Sequence, residues 1–498
     1  MKLHEVRSHP SRAGLQREEQ LAWKIAAVAA DRVAVPRDTV EMIINRLIDN
    51  AAVAVAALNR GPVIAARDMA TGHPCKGGAT LLGLKATTRV SPEWAAWANG
   101  TAVRALDMHD TFLAASEAHP GDTIPPILAV GQLMEKSGRD LIRAIATGYE
   151  IQINLARGIC LHEHGIDPVA HLAPAQAAGI GTLLKLPAET ICQAVQQAVH
   201  TGFTTAQAGT GEDSTWQAFA PGHAGKLAVE AIDRAMRGQG SPGPIYEGEV
   251  GVIARMLNGR TSRDRGFDAA PYHVPLPEQG EAKRSILSSF TREHAGPWQS
   301  QALIDLALRM REEIDGFDNI ARIVIHTSHH IHATIGTGAN DPQTPDRSIP
   351  YIFAVALQDG VWHHEDSTAP RRAARADTMR LRQRIETRED PEWTRRGVSR
   401  DPAELAFGAR VEITMRDGSV VTDEMAVANA HPHGARPFER EDYIHKFLTL
   451  TQRIITTRES NRFLEAVQNL AKLQAGDLHL LNVSVPAGSL EVGRPGLF

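Results

Sequence analysis

Between Trp97 and Pro126 the chain reads WANGTAVRALDMHDTFLAASEAHPGDTIPP, and Asp107, His109, Asp110, Thr111 and His119 follow one another in a stretch otherwise suited to a core. Buried titratable groups cost free energy unless they are paired or used, so acids, imidazoles and hydroxyls at this density point to proton transfer. A polar loop that satisfies its own backbone is the other reading of the same residues. His162, His164 and Asp167 precede VAHLAPAQAAG, where His171 stands before an apolar helix, as part of a polar site or as a cap or satisfied core residue. Ser214, Trp216 and Gln217 follow in GEDSTWQAFAPGHAGK, then Lys283, Arg284, His294 and Gln299 in KRSILSSFTREHAGPWQSQ. Cations, histidines and an acid without a cofactor motif are the equipment for holding a polycarboxylate and moving its protons.

Other chemistries lack their residues. Gly336-Thr337-Gly338 is no dinucleotide fingerprint, Gly225-Lys226 lacks the rest of a phosphate-binding loop, and there is no GxSxG elbow. His326, His329, His330 and His332 lie close together in HTSHHIH but have no carboxylate at a metal-ligand spacing, so they read as surface or substrate-facing residues. Cys75, Cys160 and Cys192 are too scattered for a disulfide framework, a zinc ribbon or an iron-sulfur centre. Neither a metal nor a cofactor is expected.

The elements that must position these groups are mostly helices. Val40, Ile43, Ile44, Leu47, Ile48 and Ala51 recur at three- and four-residue spacing, which predicts a helix from Asp38 to Leu58 with Asp38 as N-cap and Gly61-Pro62 as its stop. Helices are likewise predicted for Asp140–Ala156, Ala173–Leu186, Pro187–His200, His223–Met236 and, late in the chain, within Glu439–Ala475. After the Pro/Gly-rich stretch Asp268–Gly280 the pattern changes. Ala321–Thr327 alternates like a strand, Gly408–Thr422 reads as a hairpin turning at Asp417-Gly418, and Ile349–Gln358 is a helix between them. The Arg-rich span Pro370–Arg400 reads as a solvated helical surface. The fold class is mainly α: a large helical domain over residues 1–278 and 424–498, interrupted by a smaller α/β domain over residues 279–423.

Composition narrows the partners. The 53 basic and 58 acidic residues leave a net charge of -5 and no basic stripe, which argues against nucleic acid. No apolar run reaches the about 20 residues of a membrane span or the pattern of a signal peptide, so a cytoplasmic protein without a membrane partner is expected.

In combination, WANGTAVRALDMHDTFLAASEAHPGDTIPP, AHLAPAQAAGIG, STWQAFAPGHAGKLAVEA, PIYEGEVGV, SIPYIFAVALQDG and HPHGARP resemble the MmgE/PrpD family across essentially the whole chain. The resemblance implies a helical domain with an α/β lid, usually dimeric, and a cofactor-independent lyase site between the domains for a tricarboxylate. The implied reaction is loss of water from 2-methylcitrate to give 2-methyl-cis-aconitate. Decarboxylation of cis-aconitate, or an idle polycarboxylate-binding member, are the alternatives. Carried over by motif, Asp107 and Thr111 match a DxxDT-like element, His119 an HP histidine, and His171 the histidine before a Pro-containing helix. Gln217 stands where many members have lysine, and Gln299, or His294 with a small shift, stands where a histidine is expected. The catalytic residues expected on this basis are Asp107, His119 and His171, with one histidine as base and a protonated Asp107 assisting the leaving hydroxyl, or the reverse. Arg104, His109, Thr111, Gln217, Lys283, Arg284 and His294 are expected to bind substrate.

Overall fold

Asp38 does not cap the first long helix. That helix runs Arg37–Ala56 from an extended Pro36, and Asp38 lies in its first turn, where its carboxylate accepts the Thr39 N–H at 2.7 Å and complements the helix dipole. Gly61-Pro62 opens the next helix, Gly61–Thr71, with proline at its start. The apolar face Ile43, Ile44, Leu47 and Ile48 is buried as its spacing predicts, but so are Asn45, Arg46, Asp49 and Asn50. A helix buried all round must supply partners for its charges inside the protein.

The computed structural model describes residues 1–114, 116–210, 215–257, 270–333, 348–399, 401 and 404–497. The chain divides into two units, one of residues 1–105, 109–289 and 440–498, the other of residues 106–108 and 290–439. These limits differ from the expected 279 and 424 for local reasons. The segment after 279 stays with the first unit because Ser285 donates its N–H and its hydroxyl to the buried Glu150, each at 2.8 Å. Residues 424–439 stay with the second because Asn429 N–H binds Asp305 at 2.8 Å and Arg436 pairs with Glu293.

The first unit is mainly helical. Helices Pro92–Arg104, Gly138–Gly158, Leu172–Leu184, Ala188–Gly202 and Trp216–Met236 form its body, and Arg440–Thr451 and Thr457–Gln468 return to it. Pro92–Arg104 and Trp216–Met236 meet at Gly100 and Gly222, where a Cβ on Gly222 would stand 2.4 Å from the Trp97 carbonyl. Among the described residues three short pairings escape the helical periodicity: Lys2–Val6 with Tyr272–Leu276, Pro74–Thr80 with Arg89–Val90, and Phe112–Leu113 with Glu117–Ala118.

The second unit has a four-stranded sheet in the order Val420–Met425, Ala409–Met415, Ile320–Thr327, Ile385–Glu389. The first three strands are antiparallel and the last is parallel to its neighbour. Ile323 and Ile325 sit opposite Ile413 and Val411, and these side chains form a core with helices Gln301–Met310 and Ile349–Asp359. The expected hairpin and the Ile349 helix are present. The Arg-rich span is not helical throughout: Ile385–Glu389 inside it is the parallel edge strand, where Ile385 is buried and Glu386, Arg388 and Glu389 reach solvent. Arg400 lies outside the described residues. None of the described helices is long and apolar enough to cross a membrane.

Candidate active site

The polar residues of the first unit gather around the turn His119–Pro120–Gly121. Asp110, 1% exposed, accepts the Gly121 N–H at 2.6 Å through Oδ1, and its Oδ2 receives the Ser289 hydroxyl at 3.1 Å beside Arg46 Nε at 3.2 Å. Arg46 in turn donates to the Tyr443 hydroxyl at 2.8 Å and to the Ser289 carbonyl at 2.7 Å. One helical turn on, Asp49 pairs with Lys446 at 2.6 Å. Burial opposes the Arg46 charge, yet Tyr443, Asp110 and Asp49 hold its pKa above the ordinary arginine value. Asn50 donates to the Gly121 carbonyl at 2.8 Å, so this turn is bound through both its N–H and its C=O.

His119 is oriented by this scaffold. Its Nδ1 lies 3.1 Å from the Thr111 hydroxyl and 3.3 Å from the Asp110 carbonyl. A carbonyl can only accept, so Nδ1 carries a proton and, in the neutral ring, Nε2 presents the lone pair. Thr111 and His119, expected to belong to one site, are in contact. Arg104 and His109 are also brought together, but on an internal carboxylate: Asp122 receives Arg104 Nη1 at 2.8 Å and faces His109 Nε2 at 3.0 Å. His109 and His119 have ring centroids 5.6 Å apart. Asp167 lies close enough to feel Arg104, Glu117 and Asp122, and its pKa is raised, chiefly by burial.

His171 precedes helix Leu172–Leu184 and donates from Nε2 to the Ile159 carbonyl at 3.0 Å. Burial lowers its pKa to about 4, so the ring is neutral at physiological pH with its lone pair on Nδ1. On the same helix, Gln176 donates to the Asp122 carbonyl at 2.9 Å, which ties the element carrying His171 to the turn after His119.

Asp107 belongs to the second unit and holds a left-handed backbone, φ +48°, a conformation aspartate tolerates better than most residues. Its carboxylate pairs with the buried Arg292 at 2.8 Å. This pairing suits an ionised acid and argues against the protonated Asp107 expected from the sequence. His294 is buried against Asp305 at 2.9 Å in the same unit. Lys283 bonds the Asp31 carbonyl and the Thr147 hydroxyl, and the half-exposed Arg284 pairs with Asp38. Their partners are thus not those of His119, and both cations depart from the expected clamp. Gln217 lies in the first turn of Trp216–Met236, and Ser214 falls outside the described residues.

The sequence singles out neither Asp122 nor Arg46, and it gives Asp110 no role beyond its place in the polar run. Asp122 lies inside the quoted HPGDT, and the sequence signal for Arg46 is the polar set Asn45, Arg46, Asp49 and Asn50 within an apolar helix. Glu293, His294 and Asp305 bring one potential metal-ligand atom each within 4.8 Å of one another, a grouping no local spacing marks. Arg436 and the Asn429 N–H already engage its two carboxylates. His326 and His329 of the histidine cluster face Glu412 and Glu389 at 3.7 and 2.9 Å.

A mainly helical unit built around a buried His–Asp–Arg centre, accompanied by a smaller α/β unit, defines a two-part architecture. The chain matches the MmgE/PrpD N-terminal domain over residues 19–264 and the MmgE/PrpD C-terminal domain over residues 294–472. It belongs to the MmgE/PrpD family. It is 26% identical over 411 residues to 2-methylcitrate dehydratase of Salmonella typhimurium, covering 78% of this chain and 80% of that protein. Against 2-methylcitrate dehydratase of Cupriavidus necator the identity is 28% over 409 residues, covering 78% and 81%. Against cis-aconitate decarboxylase of Mus musculus it is 24% over 408 residues, covering 78% and 77%. The dehydratase relatives support a family of lyases.

Proposed function

We propose that this protein is a hydro-lyase that removes water from 2-methylcitrate to give 2-methyl-cis-aconitate, using side chains and no metal for proton transfer. The observation that carries the reading is the setting of His119: Nδ1 is held by the Asp110 carbonyl and the Thr111 hydroxyl, which in the neutral ring puts the lone pair on Nε2. Dehydration takes a proton from the carbon alpha to a carboxylate and expels a tertiary hydroxide, so it needs a base, an acid and donors for the electron-rich carboxylate. In this proposal His119 takes the alpha proton on its Nε2 lone pair and, as the imidazolium, returns it to the departing hydroxide, which leaves as water. His171 serves as a neutral hydrogen-bond acceptor, since a ring with a pKa of about 4 carries no proton to give at neutral pH. Arg104, with His109 joined to it through Asp122, supplies N–H donors for substrate carboxylates.

Similarity to 2-methylcitrate dehydratases over most of the chain supports the choice of substrate. The similarity to a cis-aconitate decarboxylase favours a second reading, in which the protonated His119 returns a proton to the carbanion left by carbon dioxide. NMR of products from 2-methylcitrate, citrate and cis-aconitate, with chelator present, tests both. Appearance of 2-methyl-cis-aconitate is expected; carbon dioxide release from cis-aconitate with 2-methylcitrate untouched would replace the first reading with the second. The same proposal includes a homodimer, which sedimentation equilibrium checks.

A further inference from the structure

We infer that the first unit carries a second anion site, at Lys283, for a multiply charged oxyanion such as phosphate or a polycarboxylate. The inference does not rest on the proposed reaction. Lys283 is 7% exposed, and its ammonium uses two of its three N–H groups on the Asp31 carbonyl at 3.1 Å and the Thr147 hydroxyl at 3.0 Å. It lies on the wall shared by two adjoining cavities, of about 200 Å³ and about 560 Å³, which have Ala30, Asp31 and Lys283 in common.

The smaller cavity is lined by Arg32, Arg143 and Lys185 as well, and the larger by Lys2 and Lys24. Cations therefore dominate the smaller cavity, where Arg32, Arg143, Lys185 and Lys283 face one lining acid, Asp31, whereas the larger also holds Glu278 and Glu281. The local acids are already shared: Asp140 serves both Arg143 at 2.6 Å and Lys185 at 3.0 Å, and Asp31 accepts the Gly280 N–H at 2.7 Å. In the larger cavity burial is the first cause that lowers the pKa of both His4 and Lys24, and Lys2 lowers them further, while Glu247 and Glu19 act in the opposite sense on Lys24 and Glu278 on His4. Capping of helix Leu21–Ala30 accounts for Lys283 on the Asp31 carbonyl, but not for Arg32, Arg143 and Lys185 around the same space. An oxyanion in the smaller cavity would take the remaining Lys283 N–H and relieve the mutual repulsion of the others.

Calorimetric titration of the full chain with inorganic phosphate, and separately with tricarballylate, tests the site. One of the two is expected to bind, more weakly as salt is raised. The variant R143Q/K185Q, altered at half-exposed positions that leave the core intact, is expected to weaken that binding roughly tenfold or more, as is K283Q, while H119N binds like the parent. Which anion binds assigns the ligand as phosphate or carboxylate. No binding of either at millimolar concentration, or a loss in H119N equal to or greater than that in R143Q/K185Q, would overturn the inference.

Discussion

His119 and His171 are both buried, yet their partners leave them different chemistry. The His119 ring is held at Nδ1 and the proposed proton transfer runs through Nε2, so His119→Asn is expected to lower kcat/KM by about 10²–10⁴ with an unchanged circular dichroism spectrum. Full turnover in that variant would remove the central element of the proposed mechanism. His171 is held neutral, which links it to stability. Its pKa falls from an ordinary 6.5 to about 4 on folding, so below pH 6.5 the unfolded chain binds the proton first. Stability should therefore decline as pH drops from about 6.5 to about 4, by about 3 kcal/mol in total from this residue, and level off below. Urea denaturation across that range checks it, with His171→Gln flattening the slope. The sequence left His171 open between cap and catalyst, because a histidine before a helix fits both and only the Ile159 carbonyl decides its tautomer. Arg104 and His109 read as cations for substrate in the sequence, but their shared Asp122 does not show there, since an acid in a turn gives no sign of which side chains fold onto it.

At the scale of elements, the long helices were legible because apolar residues at three- and four-residue spacing have few other uses. The short strands were not: Lys2–Val6 and Phe112–Leu113 owe their state to partners distant in sequence or to a turn of a few residues. Ile385–Glu389 was hidden for the same reason, its arginines suiting a solvated helix as well as a strand edge. The close meeting of Pro92–Arg104 with Trp216–Met236 yields a sharp prediction. Gly222→Ala would press a methyl against the Trp97 carbonyl, a backbone atom with little room to give, and should cost about 1–3 kcal/mol in thermal or chemical denaturation. Arg46→Met tests the buried network from the other side. It leaves Asp110 without its guanidinium and should destabilise by about 3–5 kcal/mol, while also lowering turnover through the loosened His119 turn.

For the whole molecule, the large helical part and smaller α/β part could be read in advance because period 3.6 gives way to period 2 after residue 280. Their borders could not, since Glu150 and Asp305 capture the flanking segments through contacts that no pattern announces. Turnover is expected to survive dialysis against a chelator, measured by product NMR. Loss that zinc or manganese restores would instead direct attention to Glu293, His294 and Asp305.

The anchoring of Arg46 and Asp49 by Tyr443 and Lys446 spans 397 positions of the chain. A polypeptide not yet extended past Lys446 has no means of seating those two charges, nor of bracing the turn that Asp110 ties to Arg46. Closure of this buried network thus waits on the emergence and docking of helix Arg440–Thr451.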